Sequence, residues 1–292
     1  MKLAAIDIGS NAIRLQIVRV MEKNEDIQIK KQEFIRFPLR LGKDVFKYGK
    51  IRFNTEDKFV KLMTAFKTFL DLYDVDEYLA CATSAMREAE NGEEIAQRVY
   101  YDCGLKINVI GGDREAELIN QAIYRFLGDG NYIHIDVGGG STELNIYKDK
   151  EKIASKSFRM GSVRNPSDEE LKVIFEKAAT WLESKTSKLE GEITTIGTGG
   201  NINKILDVSG EKTKKELSLE KVKETRDYIA TFSYEDRLSV LKLNSDRADV
   251  IIPASYIYIK IMEFANSNKI LIPNVGLKDG IISHLYRQYG NQ

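Results

Sequence analysis

The sequence predicts an α/β protein built from two duplicated lobes, and two observations support this prediction. Strand-like runs alternate with helix-like runs along the first 120 residues. A strand-turn-strand pattern near the start of the chain recurs 129 positions later (136 minus 7), which places Ile6-Asp7-Ile8-Gly9 on Ile135-Asp136-Val137-Gly138. We therefore expect an N-terminal lobe over 1–119 and a C-terminal lobe over 120–292, with a cleft between them. We also expect the C-terminal helix, at about 278–292, to pack back on the first lobe.

The elements of the first lobe follow from the spacing of its apolar residues. β-branched runs on either side of a short polar turn are typical of a hairpin, and a third run continues the sheet. Apolar residues spaced three to four positions apart predict an amphipathic helix after it. The predicted strands are 3–8, 13–20, 27–34, 78–82 and 107–110, and the predicted helices are 55–73, 84–101 and one that begins just after residue 113.

The second lobe begins again with a strand at Tyr132. A long amphipathic helix, a short strand and a glycine-rich turn that opens another helix follow the repeated hairpin. The predicted elements after the hairpin are helix 168–189, strand 193–196, turn 197–200 and helices 219–232, 247–265 and 278–289.

Composition limits the classes of partner and the compartment. The chain has 292 residues, with 44 basic and 44 acidic side chains, so no net field draws it toward nucleic acid or an anionic membrane. Cys81 and Cys103 are too few for a disulfide framework, and we expect core thiols in a reducing compartment. The apolar start is too short for a signal peptide, and Val250–Met262 is too short to span a bilayer. These features predict a cytoplasmic protein.

The two hairpin turns carry the residues best suited to phosphate chemistry. Asp7 and Asp136 each end an apolar strand beside glycines, whose backbone N–H groups can approach an anion closely. A phosphate beside these carboxylates would be repelled unless Mg²⁺ or a positioned water intervened, so both aspartates are candidate metal ligands. A single turn of this kind is more often an ordinary hairpin, but the recurrence of the pair favours a binding site.

Three further segments leave alternatives open. Gly197–Gly200 lies between a strand and a helix, and either binds an anion at the helix N-terminus or forms a simple turn. Arg87 lies in the first turn of a predicted helix, where the helix dipole disfavours a cation, so a phosphate would explain it. Glu115 is either a dipole partner at a helix start or a general base. Two basic groups are interpreted mainly as solvated surface, although the first could help to track a polyanion: Arg36, Arg40 and Lys43, and the lysine-rich segment 211–223.

Several ordered strings in this chain are similar to one known family. They are Ala5 to Asn11, Ala82 to Arg87, Gly112 to Leu118, Ile135 to Leu144, Met160 to Arg164, Gly197 to Gly200, Arg247 to Pro253 and Gly276 to Gly280. In these strings the chain resembles the exopolyphosphatase and guanosine pentaphosphate phosphohydrolase (Ppx/GppA) family. That family belongs to the fold shared by actin, heat-shock ATPases and sugar kinases. The resemblance implies two actin-like, ribonuclease H-like lobes.

The resemblance also implies roles for individual residues. Glu115 matches the family's general base, which activates the attacking water, and Asp136 and Glu143 match its acidic pair for metal and water placement. Mg²⁺ is the implied cofactor, with a monovalent cation as a second candidate, and a homodimer is the implied assembly. The implied substrates are polyphosphate or guanosine phosphates. The implied phosphate contacts are Gly9, Ser10, Asn11, Arg87, Gly138, Gly139, Gly140, Ser141, Thr142, Gly197, Thr198 and Gly199.

Departures from the family pattern keep other functions in view. Arg114 stands where the first glutamate of the base motif is expected, and Asn201 stands where a threonine is usual. The chain also lacks the helical extension of longer members, which predicts a preference for short substrates. The alternatives are a regulatory protein that binds polyphosphate or an alarmone with little turnover, and an ATP-using kinase of the same fold.

Overall fold

A computed structural model describes residues 1–23, 26–164 and 166–290 of the chain. The chain divides into two compact units. Unit 1 comprises Met1–Ala122 and Gly276–Gln292, and unit 2 comprises Ile123–Val275. The last two residues of the helix predicted at 278–292 lie outside the described residues. No helix in the described ranges is long and apolar enough to cross a membrane.

Unit 1 forms one mixed sheet that begins with a three-stranded meander. Within the described residues its strand order is β3-β2-β1-β4-β5, with β1 antiparallel to β2 and parallel to β4. The helix α12 packs against β1. The elements are β1 (Lys2–Ile8), β2 (Ile13–Lys23), β3 (Asp26–Phe37), α1 (Leu41–Tyr48), α2 (Phe53–Leu72), β4 (Glu77–Ala82), α3 (Ser84–Glu88), α4 (Gly92–Cys103), β5 (Ile107–Val109), α5 (Gly112–Ile123) and, at the end of the chain, α12 (Leu277–Tyr289).

Unit 2 repeats this order and adds one strand. Read from the hairpin edge, its sheet in the described ranges runs β8-β7-β6-β9-β11-β10, so the first five strands follow the unit 1 pattern. The elements are β6 (Asn131–Val137), β7 (Thr142–Lys148), β8 (Glu151–Phe158), α6 (Asp168–Thr186), β9 (Ile193–Thr198), α7 (Gly200–Ser209), β10 (Glu216–Ser218), α8 (Leu219–Ala230), α9 (Tyr234–Ser239), α10 (Ser245–Ala248), α11 (Ile251–Phe264) and β11 (Lys269–Leu271). The predicted α/β fold of two lobes is confirmed.

The two faces of the β6–β7 hairpin differ in polarity. Paired residues such as Ile135 and Leu144 point to one face, where they join the apolar core of unit 2. Because successive side chains in a strand alternate between faces, the intervening residues share the opposite face. These intervening residues are His134, Asp136, Glu143 and Asn145. Near the hairpin turn, the face of this sheet opposite the apolar core is therefore polar.

Two predicted helices are interrupted. The helix predicted at 84–101 is two helices, because Ala89 adopts an extended backbone and the Asn91 side chain bonds both backbone groups of Ile51 instead of continuing the helix. The helix predicted at 247–265 is likewise α10 and α11, and the chain between them lies at Asp249 and Val250. Polar side chains that bond elsewhere compete with helical hydrogen bonding, which spacing alone does not reveal.

Candidate functional site

In unit 1 the first hairpin turn is fastened by backbone hydrogen bonds. The Gly9 N–H donates to the Ala12 carbonyl at 3.3 Å. The N–H groups of Arg40 and Gly42, at the start of α1, donate to the carbonyls of Asn11 and Ser10. These contacts use the N–H of Gly9 and the carbonyls of Ser10 and Asn11, three residues that the sequence assigns to phosphate binding.

Asp7, at the end of β1, has a cation for a neighbour. It is the direct register partner of Arg14 on β2, and Arg14 Nη1 lies 2.7 Å from Asp7 Oδ2. The Asp7 side chain is 11% exposed, so this ion pair is largely shielded from water. One oxygen of this predicted metal ligand is therefore already engaged by a guanidinium group.

The turn after β4 brings other predicted residues close to this hairpin. The hydroxyl oxygens of Ser10 and Ser84 lie 2.8 Å apart. Arg87, on α3, donates from Nη1 to the Ile110 carbonyl at 2.6 Å, and the same nitrogen lies 4.0 Å from Oε2 of Glu115. Unit 1 thus places the predicted base, Glu115, near the predicted phosphate ligand, Arg87.

Glu115 is buried in the first turn of α5, and its N–H donates to the Gly111 carbonyl. Its neighbour Arg114 donates to Glu117 at 2.7 Å and lies 2.9 Å from Nε2 of His284 on α12. The unusual arginine of this motif is thereby held by two side chains of unit 1.

Cys81 is a buried thiol, as predicted. Burial is the main cause that raises its pKa to about 12, and the nearby Asp7 carboxylate adds to the effect. A thiol with so high a pKa is a poor nucleophile.

In unit 2 the corresponding hairpin carries two carboxylates. Asp136 on β6 and Glu143 on β7 are direct register partners, so both side chains leave the same face of the sheet. Glu143 is buried, and Ser157 on β8 donates to its Oε1 at 3.0 Å. Like charges placed directly opposite each other repel, so this pair favours the binding of a cation.

The glycine loop after β6 is held by the segment Met160–Arg164. The Gly138 carbonyl accepts from the N–H and hydroxyl of Ser162, and the Gly139 carbonyl accepts from the N–H groups of Val163 and Arg164. The Gly140 carbonyl accepts from Nε of Arg164 at 2.8 Å. A trans peptide points its C=O and N–H in opposite directions. The N–H groups that follow these carbonyls, on Gly139, Gly140 and Ser141, are thus turned away from the segment.

The turn after β9 adjoins the same carboxylate. Gly199 has a φ of +103°, and a Cβ there would lie 3.0 Å from Oδ1 of Asp136. The Tyr258 hydroxyl on α11 donates to the Thr198 carbonyl and accepts from the Val137 N–H, which ties the ends of β9 and β6 together. Arg247 donates to the Gly200 carbonyl. Unit 2 therefore brings the two glycine turns and Asp136 into one locality.

The structure gives other predicted residues a fastening role. The Thr142 hydroxyl donates to the Met160 carbonyl at 2.6 Å, and the Ser141 carbonyl accepts from the Gly138 N–H. Sequence reasoning included Met160–Arg164 in the family resemblance but did not find that Ser162 and Arg164 hold the loop.

No group of three or more His, Cys, Asp or Glu side chains in residues 1–23, 26–164 and 166–290 is arranged to hold a metal ion. The arrangement in the described residues is instead a carboxylate pair beside two glycine turns. Backbone N–H groups turned outward from such a loop form a concave site for anions. Glycine turns of this kind, repeated on a duplicated sheet, are typical of the phosphate-binding class of proteins.

This chain belongs to the Ppx/GppA phosphatase family, whose sequence profile matches residues 20–288. It is 28% identical to the bifunctional 3-dehydroquinate synthase/phosphatase of Fusobacterium nucleatum, with 92% of this chain and 44% of that protein covered. This chain thus spans less than half the length of that relative. It is 24% identical to exopolyphosphatase 1 of Mycobacterium leprae, with 97% and 88% covered. It is also 24% identical to the guanosine-5'-triphosphate,3'-diphosphate pyrophosphatase of Aliivibrio fischeri, with 95% and 58% covered.

Solved structures agree with this assignment. The Ppx/GppA family member of Aquifex aeolicus is 25% identical, with a TM-score of 0.77 over 99% of this chain and 98% of that one. An exopolyphosphatase from Cytophaga hutchinsonii is 22% identical, with a TM-score of 0.87 over 99% and 98%. The latter similarity shows the fold alone. The predicted family and its actin-like fold are confirmed.

Proposed function

We propose that this protein hydrolyses the terminal phosphoanhydride bond of inorganic polyphosphate or guanosine pentaphosphate. The names of two relatives support these substrates, since one is an exopolyphosphatase and another acts on guanosine-5'-triphosphate,3'-diphosphate. Both names describe cleavage of a phosphate-phosphate linkage, and the two substrates share a chain of phosphoryl groups.

The observation that carries the proposal is the fastening of the Gly138–Gly140 loop. Its three carbonyls are bonded by the Met160–Arg164 segment, so the following N–H groups already point the other way before a ligand binds. Donors fixed in advance stabilise charge that develops on phosphoryl oxygens more effectively than donors that must reorganise.

The chemistry of the carboxylate pair fits Mg²⁺. Asp136 and Glu143 would hold the ion, because Mg²⁺ binds through one or two carboxylates and retains several waters. When bound, Mg²⁺ supplies positive charge that offsets the charge of the phosphoryl oxygens. Asp7 stays a predicted metal ligand, and one of its oxygens is engaged by Arg14. The monovalent cation stays a prediction.

The proposed reaction is attack of water on the terminal phosphorus. A bond forms between the water oxygen and phosphorus as the bridging P–O bond breaks, and the shortened chain leaves with the bridging oxygen. Glu115 accepts the proton of the water, and Arg87 and the loop N–H groups bind phosphoryl oxygens. The products are inorganic phosphate and the shortened substrate.

Glu115→Gln tests the proposed base, because the amide keeps the shape of the side chain but accepts no proton. We expect wild type with Mg²⁺ to release phosphate from one or both substrates and the variant to lose about 100-fold or more in kcat. Glu117→Gln is the matched control, since Glu117 lies on the same helix, is exposed and should retain activity. Equal rates for wild type and Glu115→Gln would contradict the role of Glu115.

The same protein samples distinguish the proposed hydrolase from the alternative, a binding protein with little turnover. Calorimetry with a methylene-bridged tripolyphosphate analogue, which the protein cannot hydrolyse, measures binding independently of turnover. Tight binding by a wild-type protein that releases no phosphate from either substrate would support the regulatory function and reject the hydrolase.

A further inference from the structure

A row of uncharged polar side chains crosses the second sheet beside the carboxylate pair. Ser155 on β8 is the register partner of Asn145 on β7, and Asn145 is the register partner of His134 on β6. Direct partners share a face of the sheet, so the row lies on the same face as Glu143 and Asp136. The proposed function leaves this row without a role.

The hydrogen bonds of the row all donate in the direction from Ser155 to Thr198. Ser155 Oγ donates to Asn145 Oδ1 at 2.8 Å, and Asn145 Nδ2 lies 3.1 Å from Nδ1 of His134. Because an amide nitrogen only donates, Nδ1 accepts, and the proton of the neutral ring is on Nε2. That Nε2–H donates to the Thr198 hydroxyl oxygen at 2.8 Å. The row therefore ends on the glycine turn after β9.

The row is costly to bury and fully bonded. His134, Asn145 and Thr198 are completely inaccessible to solvent. Buried polar groups destabilise a fold unless each one is bonded, and an apolar row would fill the same space at no such cost.

Thr198 is where this row meets the candidate site. In the parallel register of β6 and β9 its partner is Asp136, and its carbonyl accepts from the Tyr258 hydroxyl. The next residue, Gly199, turns at positive φ against Asp136. Thr198 is thus fixed through its backbone by Tyr258 and through its side chain by His134.

We propose that His134 is a positioning residue, which acts through the Thr198 hydroxyl to hold the Thr198–Gly200 turn against Asp136. This role rests on the proposed hydrolysis, in which Asp136 places the metal and the turn binds phosphate. Removal of a group that orients a metal ligand through hydrogen bonds typically lowers metal affinity or activity about 10-fold to 100-fold. His134 itself touches no reacting atom.

The kinetic test uses substitutions that remove or keep the bond to Thr198. His134→Leu and Thr198→Val should each lower kcat about tenfold or more. His134→Gln should keep most of it, because its amide nitrogen reaches the place of Nε2. The double variant should be no worse than the poorer single variant, since both changes break the same bond. Thr195→Val is the matched control. Thr195 is a buried threonine of the same strand whose hydroxyl bonds Ser267, and it should retain wild-type kcat.

For an active wild type, an unchanged kcat in His134→Leu would overturn the proposal, and so would a double variant whose losses multiply. A kcat loss in Thr195→Val equal to that in Thr198→Val would also overturn it, since any buried bond of β9 would then matter equally. The acid and base limbs of the pH profile of kcat should be the same in His134→Gln and wild type. A displaced limb would assign His134 to proton transfer instead.

A measurement without turnover separates this proposal from the proposed function. The chain contains two histidines, so ¹⁵N spectra of the rings are assigned by His284→Gln. At pH 7 we expect the ring proton of His134 on Nε2, with a resonance that shifts in Thr198→Val and not in Thr195→Val. The opposite tautomer would overturn the row. If wild type releases no phosphate, the proposed hydrolase function is rejected independently of this row. The affinity for tripolyphosphate, measured by calorimetry, then replaces kcat as the readout. Equal affinity in His134→Leu and wild type would then reject the positioning role.

Discussion

The two hairpins of this chain carry opposite charges at one aligned position beside the turn. The offset of 129 that relates Asp7 to Asp136 also relates Arg14 to Glu143. Each pair faces across its strands in the same register, yet the first is an ion pair and the second is two carboxylates. The same register therefore places opposite charges together in the first hairpin and like charges together in the second. Two facing carboxylates are candidate ligands for a divalent cation.

This contrast predicts the effect of removing the Arg14 guanidinium. Arg14→Met keeps the length of the side chain and leaves the nearly buried Asp7 carboxylate without its ion-pair partner. We expect unit 1 to lose about 1–3 kcal/mol in the free energy of unfolding, measured by urea denaturation. A second change, Asp7→Asn, should restore part of the loss in the Arg14→Met background.

An exposed ion pair of unit 1 provides the control. Lys61 and Asp57 pair at the surface of α2, and Lys61→Met should change stability by less than about 0.5 kcal/mol. Equal effects of Arg14→Met and Lys61→Met would show that burial of Asp7 does not matter.

At this scale the sequence predicted residues better than contacts. The carboxylates and glycines were found because short motifs place them at strand ends. The contacts of Arg14, Ser162 and His134 depend on cross-strand register and on a segment that returns to the loop, and neither follows from spacing along one strand.

At the scale of elements, the loop Gly138–Gly140 and the segment Met160–Arg164 form one interlocked unit. Besides its hydrogen bonds, the segment packs so closely that a Cβ on Gly161 would overlap backbone atoms of Gly139 and Gly140. The position therefore requires glycine, although its backbone is not in the left-handed region. Any side chain there must displace the loop.

Gly161→Ala should consequently impair function more than folding. Displacement of the loop N–H groups by a fraction of an ångström should lower kcat roughly tenfold to 100-fold in a phosphate-release assay. Gly210→Ala is the control: Gly210 ends α7 at a φ of +81°, so alanine there costs about 1 kcal/mol of stability. The prediction is wrong if both variants show the same loss of kcat at matched stability.

Periodicity found the long elements and missed the interruptions between short ones. Helix α2 and the strands β1, β2 and β4 were predicted within a few residues. The break between α3 and α4 was not, because it depends on Asn91 bonding a distant backbone segment. Helix α1 and strand β8 were also not predicted. Strand β8 is largely exposed, and its polar sequence lacks a clear alternation.

At the scale of the whole molecule, the repeat of the hairpin predicted two duplicated lobes. The repeated hairpin sets the first three strands of each sheet, and a parallel strand follows in both. The extra strand β10 and the short helices α9 and α10 have no counterpart in unit 1, so a repeat could not predict them. The family could be predicted because its motifs are short strings spread over both units. The packing could be predicted in less detail, because it depends on contacts between residues distant in sequence.

Global stability should depend on pH through His134. The unfolded ring takes up a proton near pH 6.5, whereas the folded ring does so only near pH 3. Between these values the unfolded state binds more protons, so this contribution to stability is complete above pH 6.5 and is lost as the pH falls. In this window, wild type should lose up to about 1.4 kcal/mol per pH unit more than His134→Gln.

Urea denaturation of both proteins at a series of pH values measures this difference. The comparison cancels the carboxylate contributions that the two proteins share. Parallel stability curves from pH 7 to pH 4 would mean that His134 is protonated in the folded state, contrary to its burial.

Unit 1 is built from two separate stretches of chain, whereas unit 2 is continuous. Helix α12, which packs on β1, is made only after all of unit 2 has been synthesised. Gly280 on that helix fits so closely against the backbone of Leu118 that a Cβ would overlap it. On the ribosome, the second unit is therefore complete in sequence before the first, which reverses the usual N-terminal-first order of domain folding. During this interval β1 lacks the helix that packs on it in the folded protein.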